Sequence, residues 1–282
     1  MGNYKGCDYL GKFENILFCT DLDGTLFDSK KQISKENLDA IEYFKSEGGL
    51  FTFITGRVPQ TFKNVYEVVK PNAPIGCLNG GGVYDHVKGE FLWKQTISRD
   101  CLKLVKYVDE KLPEMGIQFN TVNGIFFNKD NEAMEWFRKI TGVENIPCSY
   151  DELNCDLLKI VFAHTDPKQV DELAKLLLEH PLSCDYDFIR SELYLYEILP
   201  KGSHKGKVLV KIAEILGIDI NKTIAIGDYN NDVALIKSAG LGIAVANAVD
   251  EAKAVADYIT VSNDQHAIKQ IIDDLDNGVI KI

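Results

Sequence analysis

The apolar run Ile16-Leu17-Phe18-Cys19 leads without a break into Thr20-Asp21-Leu22-Asp23-Gly24-Thr25. The run has the length of a buried strand. It stops on two acids and a turn dipeptide. A strand of this kind sets carboxylates at its carboxyl end, the edge where open α/β sheets keep their ligands. Neighbouring anions repel, so the pair needs a cation or a proton to persist. A bound divalent metal meets that need. The competing reading is that Asp23-Gly24 is only a turn and both acids are solvated.

Strand and helix signals alternate from there. Ser34 is placed to cap a helix running to about Ser46, with Gly48-Gly49 ending it. Leu50 to Ile54 reads as a second strand and closes on Thr55-Gly56-Arg57. Pro59 suits the first turn of a helix that carries Phe62, Val65 and Val69 on one face. Pro74 to Leu78 reads as a third strand, ending on Asn79-Gly80-Gly81-Gly82. This β-α-β-α-β order predicts a parallel sheet with right-handed crossovers.

The middle of the chain has a different grammar. A hairpin is expected over Val83 to Thr96 with Lys88-Gly89 as its turn, and two short strands about Asn123-Gly124. Further strands are expected at Leu157 to Ala163 and Phe188 to Leu199, and helices at Cys101 to Leu112, Met134 to Ile140 and Val170 to Leu178. Strands paired by turns and covered by helices describe an α+β module inserted into an α/β chain. Alternation resumes with a helix at Lys205 to Leu216, a strand at Thr223 to Ile226 ending on Gly227-Asp228, and a helix at Asn231 to Ala239. A strand at Leu241 to Val245 and helices at Val249 to Ala256 and His266 to Leu275 follow. The expected fold class is therefore α/β, a Rossmann-like parallel-sheet core formed by residues 1–84 and 191–282, with an α+β domain inserted at 85–190.

Composition narrows the partners. The net charge of -11 disfavours broad binding to nucleic acid or an anionic membrane, while leaving local cations free to hold a small anion. Seven scattered cysteines without a Cys-x-x-Cys pair read as reduced thiols. No stretch has the length of a membrane span, and the first residues lack a basic-then-apolar signal, so a cytoplasmic protein is expected. Met1-Gly2 hints at myristoylation, but Gly6 stands where Ser or Thr is wanted.

Four elements share one address at the carboxyl edge of the expected sheet. Asp21 and Asp23 end the first strand and Thr55 follows the second. Lys205 begins a helix, and Asp228, Asn231 and Asp232 follow a late strand. Oxygen ligation by a few carboxylates, with room left for water and a phosphate oxygen, describes magnesium. Plainer readings stand beside these. Asp228 and Thr55 each suit a helix cap, Lys205 a solvated helix start, Arg57 a surface ion pair and Asn79 turn chemistry. His86, His164, His180 and His266 show no ligand spacing, and Trp93 and Trp136 fit the core of the inserted module.

Asp21-Leu22-Asp23-Gly24-Thr25, Thr55-Gly56-Arg57, Lys205-Gly206 and Gly227-Asp228-Tyr229-Asn230-Asn231-Asp232 resemble the four motifs of the haloacid dehalogenase (HAD) superfamily. An insertion after Asn79-Gly80-Gly81, with Leu199-Pro200-Lys201-Gly202 before the motif lysine, is similar to the Cof-type branch, which carries an α/β cap of the C2B type. His204 departs mildly from that branch, where a small polar residue is usual. The resemblance implies a phosphatase acting on small phosphorylated metabolites, sugar phosphates foremost, with pyridoxal phosphate or flavin mononucleotide as other candidates.

In that pattern Asp21 is the nucleophile and Asp23 the general acid and base. Mg2+ lies between the Asp21 carboxylate, the Asp23 carbonyl and Asp228, with Asp232 in support behind them. Leu22 and Gly56 amides, Thr55, Lys205 and Asn231 face the phosphoryl oxygens, and Arg57 and Asn79 are weaker substrate candidates. A phosphomutase on the same scaffold and a non-catalytic phosphometabolite sensor are the alternatives. The first lacks a compact Arg/Lys cluster between Val83 and Arg190; the second has no use for a complete acid set. The partner in each case is a small phosphorylated metabolite, and the sequence carries no sign of oligomeric state.

Overall fold

The computed structural model describes residues 11–282; the Met1-Gly2 to Gly6 pattern lies outside them. In chain order the elements begin with β1 (Leu17–Thr20), α1 (Lys35–Ser46), β2 (Leu50–Phe53), α2 (Lys63–Val69), β3 (Ile75–Cys77), β4 (Gly82–Asp85) and β5 (Glu90–Lys94). They continue with α3 (Cys101–Lys111), β6 (Gly116–Thr121), β7 (Gly124–Lys129), α4 (Glu132–Thr141), β8 (Leu157–Ala163), α5 (Pro167–Glu179), β9 (Tyr186–Glu192) and β10 (Leu195–Pro200). The last are α6 (Lys205–Leu216), β11 (Thr223–Gly227), α7 (Val233–Ser238), β12 (Leu241–Ala244), α8 (Asp250–Lys253), β13 (Tyr258–Ile259) and α9 (Ala267–Asp276). The chain divides into two compact units. One takes the residues up to Ile54, Val69–Ile75 and Leu209–Ile282; the other takes Thr55–Val68 and Gly76–Val208. Among the described residues no helix is long and apolar enough to cross a membrane.

The first unit is built on a parallel sheet in the order β13-β12-β11-β1-β2. β1 lies between β11 and β2, with Thr20 level with Ile226 on one side and Phe53 on the other. Leu17, Phe18 and Cys19 are all buried, so the strand shows no alternation, as a strand covered on both faces should. Ser34 caps α1 through a bond from Asn37 N, and α1 buries Ala40, Ile41 and Phe44. Phe44 stacks on Phe13 and meets Phe18 edge-on. α9 packs beside α1, and Lys269 N donates to Asn37 Oδ1 at 3.0 Å. Three expected helices are shorter than their patterns; α8 keeps only Asp250–Lys253 of the expected Val249 to Ala256. Pro59–Thr61 and Asn230–Asp232 are tight single turns ahead of α2 and α7.

The second unit carries a five-stranded antiparallel sheet in the order β7-β6-β8-β10-β9. It extends past residue 190, because β10 pairs with both β8 and β9. Helices α3 and α5 supply Leu104, Val105, Val108, Leu173 and Leu177 to a core shared with Ile117, Phe119, Ile160, Phe162 and Ile198. Side chains alternate along a strand, so the intervening residues Gln118, Asn120, Lys159, Val161 and Glu197 line the opposite face. That face is buried as well. The third strand differs from expectation. β3 stands with the hairpin strands β4 and β5 in a three-stranded sheet. Leu78 and Asn79 both take positive φ, +60° and +52°, and these consecutive left-handed residues reverse the chain straight into the hairpin.

Candidate active site

β1 ends at Thr20, and Asp21 N donates to Ile226 O at 2.9 Å, carrying the ladder one residue further. β11 ends one residue before Asp228. Parallel neighbours finish at the same edge, so acids some two hundred residues apart in sequence meet there. Carboxylate oxygens of Asp21, Asp228 and Asp232 all lie within 4.8 Å of one another. Asp21 and Asp232 are buried and Asp228 is half-buried.

The triad is held by its own neighbours. Asp232 Oδ2 accepts from the backbone N–H of Asp228 and of Tyr229, each at 3.1 Å, which fixes the loop after β11. Thr25 Oγ1 donates to Asp228 Oδ1 at 3.0 Å. Leu22 to Leu26 form a tight turn closed by Phe27 N on Leu22 O at 2.9 Å. Gly24 sits in it at φ +83°, where a Cβ would stand 2.3 Å from Asp228 Oδ2. A side chain there would meet both a strained backbone and the acid. Asn247 Nδ2 donates to Gly24 O at 2.9 Å and steadies the turn from another loop.

Three carboxylates so close repel strongly at low effective dielectric. Their donor set is oxygen only and few in number, with water and a phosphate oxygen able to complete it, which fits a small hard dication. Asp23 is outside the triad. Its Oδ1 accepts from Lys31 Nζ at 3.0 Å, and both side chains are partly exposed. Leu22 is buried in the turn, and Asn231 is half-buried beside Asp232.

The other candidates belong to the second unit. Thr55 follows Ile54, whose N–H donates to Thr20 O at 2.8 Å, so the chain leaves β2 at the same sheet edge. Thr55 is buried; its N–H donates to Gly76 O at 3.0 Å and its carbonyl accepts from Asn79 N at 3.2 Å. Its hydroxyl oxygen accepts from Arg57 N at 3.2 Å, which leaves the hydroxyl's own proton able to donate elsewhere. A trans peptide points its N–H opposite its C=O. Holding the Thr55 carbonyl on Asn79 therefore aims the Gly56 amide the other way.

Asn79 is buried; its Nδ2 donates to Glu197 Oε2 at 3.0 Å. A Cβ on Gly56 would lie 2.7 Å from Asn79 Oδ1, so the loop accepts only glycine without rearranging. Lys159 Nζ donates to Glu197 Oε1 at 2.9 Å and to Gly56 O at 3.0 Å. Arg57 is half-buried. Lys205, the first residue of α6, is 1% exposed. A cation buried at the positive end of a helix calls for an anion near it. Before it, burial and then the Lys207 charge hold His204 below the ordinary histidine range.

The sequence reading missed five of these residues. Thr25 lies within the first motif, where the sequence pattern marks no separate role for it. Lys159 and Glu197 are single charges of opposite sign in otherwise apolar strands, Leu157–Ala163 and Leu195–Pro200, and that complementarity was a usable signal. Lys31 and Asn247 lie in loops and offered none.

The haloacid dehalogenase-like hydrolase family matches residues 18–272. A 5-amino-6-(5-phospho-D-ribitylamino)uracil phosphatase of Bacillus subtilis (strain 168) is 28% identical over 284 residues, an alignment covering 92% of this chain and 97% of that protein. A haloacid dehalogenase-like hydrolase from Bacteroides thetaiotaomicron has a TM-score of 0.83 at 23% identity, covering 92% of this chain and 99% of that one. A sugar phosphatase of HAD subclass IIB has a TM-score of 0.80 at 24% identity, covering 94% and 100%. The two solved structures share the fold, a parallel-sheet core with an antiparallel-sheet cap. With the family match running through both units, this chain belongs to the haloacid dehalogenase-like hydrolases.

Proposed function

We propose that the chain is a magnesium-dependent phosphatase that hydrolyses monoesters of small phosphorylated metabolites, sugar phosphates foremost, through an aspartyl phosphate on Asp21. The observation that carries the reading is the convergence of Asp21, Asp228 and Asp232 within 4.8 Å at the end of β1. Relatives named as phosphatases of a ribityl phosphate and of sugar phosphates support the substrate class.

In this reading an Asp21 oxygen attacks phosphorus as the ester P–O bond breaks. Asp23 gives its proton to the leaving oxygen. It then takes one from the water that attacks phosphorus, which frees Asp21 and inorganic phosphate. Asp21, the Asp23 carbonyl and Asp228 are the groups that would hold Mg2+, which would supply the positive charge that offsets the repulsion between a carboxylate and a phosphate anion. Asp232 keeps Asp228 in place through the two backbone bonds it accepts. The Leu22 and Gly56 amides, the Thr55 hydroxyl, the Asn231 side chain and the Lys205 ammonium donate to the phosphoryl oxygens as charge spreads over them. The inserted module, 85–190 by sequence, supplies leaving-group specificity.

The test is phosphate release over a broad panel of phosphorylated metabolites, with and without Mg2+, beside Asp21→Asn. Release that requires Mg2+ and vanishes in Asp21→Asn is expected. Undiminished turnover in Asp21→Asn refutes the mechanism. A positional isomer accumulating instead of phosphate identifies a mutase, and ligand binding without turnover a sensor.

A further inference from the structure

We propose that Gln118 and Asn120 form an amide pair that reads a hydroxyl group on the leaving group, making them specificity residues for phosphate esters whose leaving group is uncharged and hydroxylated. The inference rests on the phosphatase reading and deepens it. Both side chains are 1% exposed. Gln118 Nε2 donates to Asn120 Oδ1 at 3.0 Å. Among the described residues, Gln118 Oε1 and Asn120 Nδ2 are buried without a hydrogen-bond partner. Folded proteins rarely leave such groups unpaired, and each orphan carries a desolvation penalty.

What the pair leaves without partners is one acceptor oxygen, Gln118 Oε1, and one donor nitrogen, Asn120 Nδ2. A hydroxyl is the group that gives one proton and receives another. Exchanging both amide orientations leaves the same inventory, so the complementarity does not depend on which end of either amide is nitrogen. A leaving group without a hydroxyl gains nothing from the pair.

Within its own unit the pair lies near Gly56, one of the proposed phosphate donors. Asn120 stands opposite Lys159 across β6 and β8, and Gln118 stands opposite Val161, which is itself opposite Glu197. The four polar side chains therefore share one face, and Lys159 on that face holds the carbonyl of Gly56. Lys159 and Glu197 neutralise one another at 2.9 Å. These four side chains are consequently polar without net charge, which suits a polyol. Gln118 and Asn120 are otherwise surrounded by the apolar Val161, Ile125 and Phe127 in the strand registers beside them.

The experiment compares kcat/KM for ribose 5-phosphate and glucose 6-phosphate with that for 4-nitrophenyl phosphate, whose leaving group has no hydroxyl to read. Asn120→Leu removes the donor at near-constant volume, and Gln118→Met removes the acceptor at constant chain length. The ratio of sugar to nitrophenyl kcat/KM is expected to fall at least about 10-fold in each folded variant, the size expected when a site loses its bonds to a substrate hydroxyl. Circular dichroism melting selects the folded variants, and the second substitution stands if the first does not fold. A ratio unchanged from wild type, with both activities falling in parallel or neither falling, overturns the inference and leaves the phosphatase reading standing. A wild-type protein that releases phosphate from none of the three esters overturns both.

Discussion

Lys159→Met leaves Glu197 buried without its cation. Two unit charges 2.9 Å apart attract by about 6 kcal/mol at an effective dielectric near 20. Desolvation offsets much of this while both partners are present. Removing one partner exposes the penalty, and breaking a buried pair costs about 3–5 kcal/mol. Glu197 keeps the bond from Asn79 Nδ2, and Gly56 O loses its bond from Lys159. The double variant Lys159→Met/Glu197→Leu no longer buries an unpaired charge, so it is expected within about 2 kcal/mol of wild type. Both tryptophans of the chain, Trp93 and Trp136, lie in the unit that holds this pair, so fluorescence during urea denaturation follows that unit. A large favourable coupling in the double-mutant cycle is expected. Single substitutions costing under about 1 kcal/mol, or a double variant as unstable as the sum of the singles, would refute the reasoning. The loss of the Gly56 tether also lowers kcat/KM on nitrophenyl and sugar esters together, unlike the Gln118 and Asn120 variants.

Gly24→Ala forces its methyl group against Asp228 Oδ2, so the Mg2+ concentration giving half-maximal activity is expected to rise about 10-fold or more; an unaltered Mg2+ titration contradicts this. Asp23→Asn removes proton transfer and is expected to lower kcat by about 10²–10⁴ with the melting temperature preserved; wild-type kcat excludes the acid and base role. Burial pushes the thiols of Cys19 and Cys77 well above the ordinary range, while Cys184 is exposed. Iodoacetamide on the native protein should therefore mark Cys184 long before either, as peptide mass spectrometry would read; early labelling of Cys19 would place β1 at the surface.

Strands β1, β2 and β11 were legible because each is an apolar run that ends on a distinctive polar group; β12 was legible as an apolar run alone, and the two-residue β13 is too short for a pattern to show and was not expected. Asp21 and Asp228 could be brought together from sequence for the same reason: parallel strands finish at one edge, whatever their separation along the chain. Much of the remainder depends on register, which periodicity does not carry. Lys159 and Glu197 each look out of place alone and become a pair only when β8 is aligned with β10. The Gln118–Asn120 pair is invisible until the face of β6 opposite α3 is known to be buried. That β3 joins the hairpin strands was not visible either, and a leucine gives no warning of the positive φ at Leu78 where the chain turns into the hairpin. The role of Thr25 needed the turn geometry that points its hydroxyl at Asp228.

The central claim is that Asp21 and Asp228 hold a single cation beside the attacking carboxylate. Mn2+ paramagnetism permits direct counting of bound ions in the wild-type protein and in Asp21→Asn and Asp228→Asn. One ion per chain is expected in wild type, with affinity at least about 10-fold weaker in each variant. Wild-type affinity retained in either variant would contradict the account.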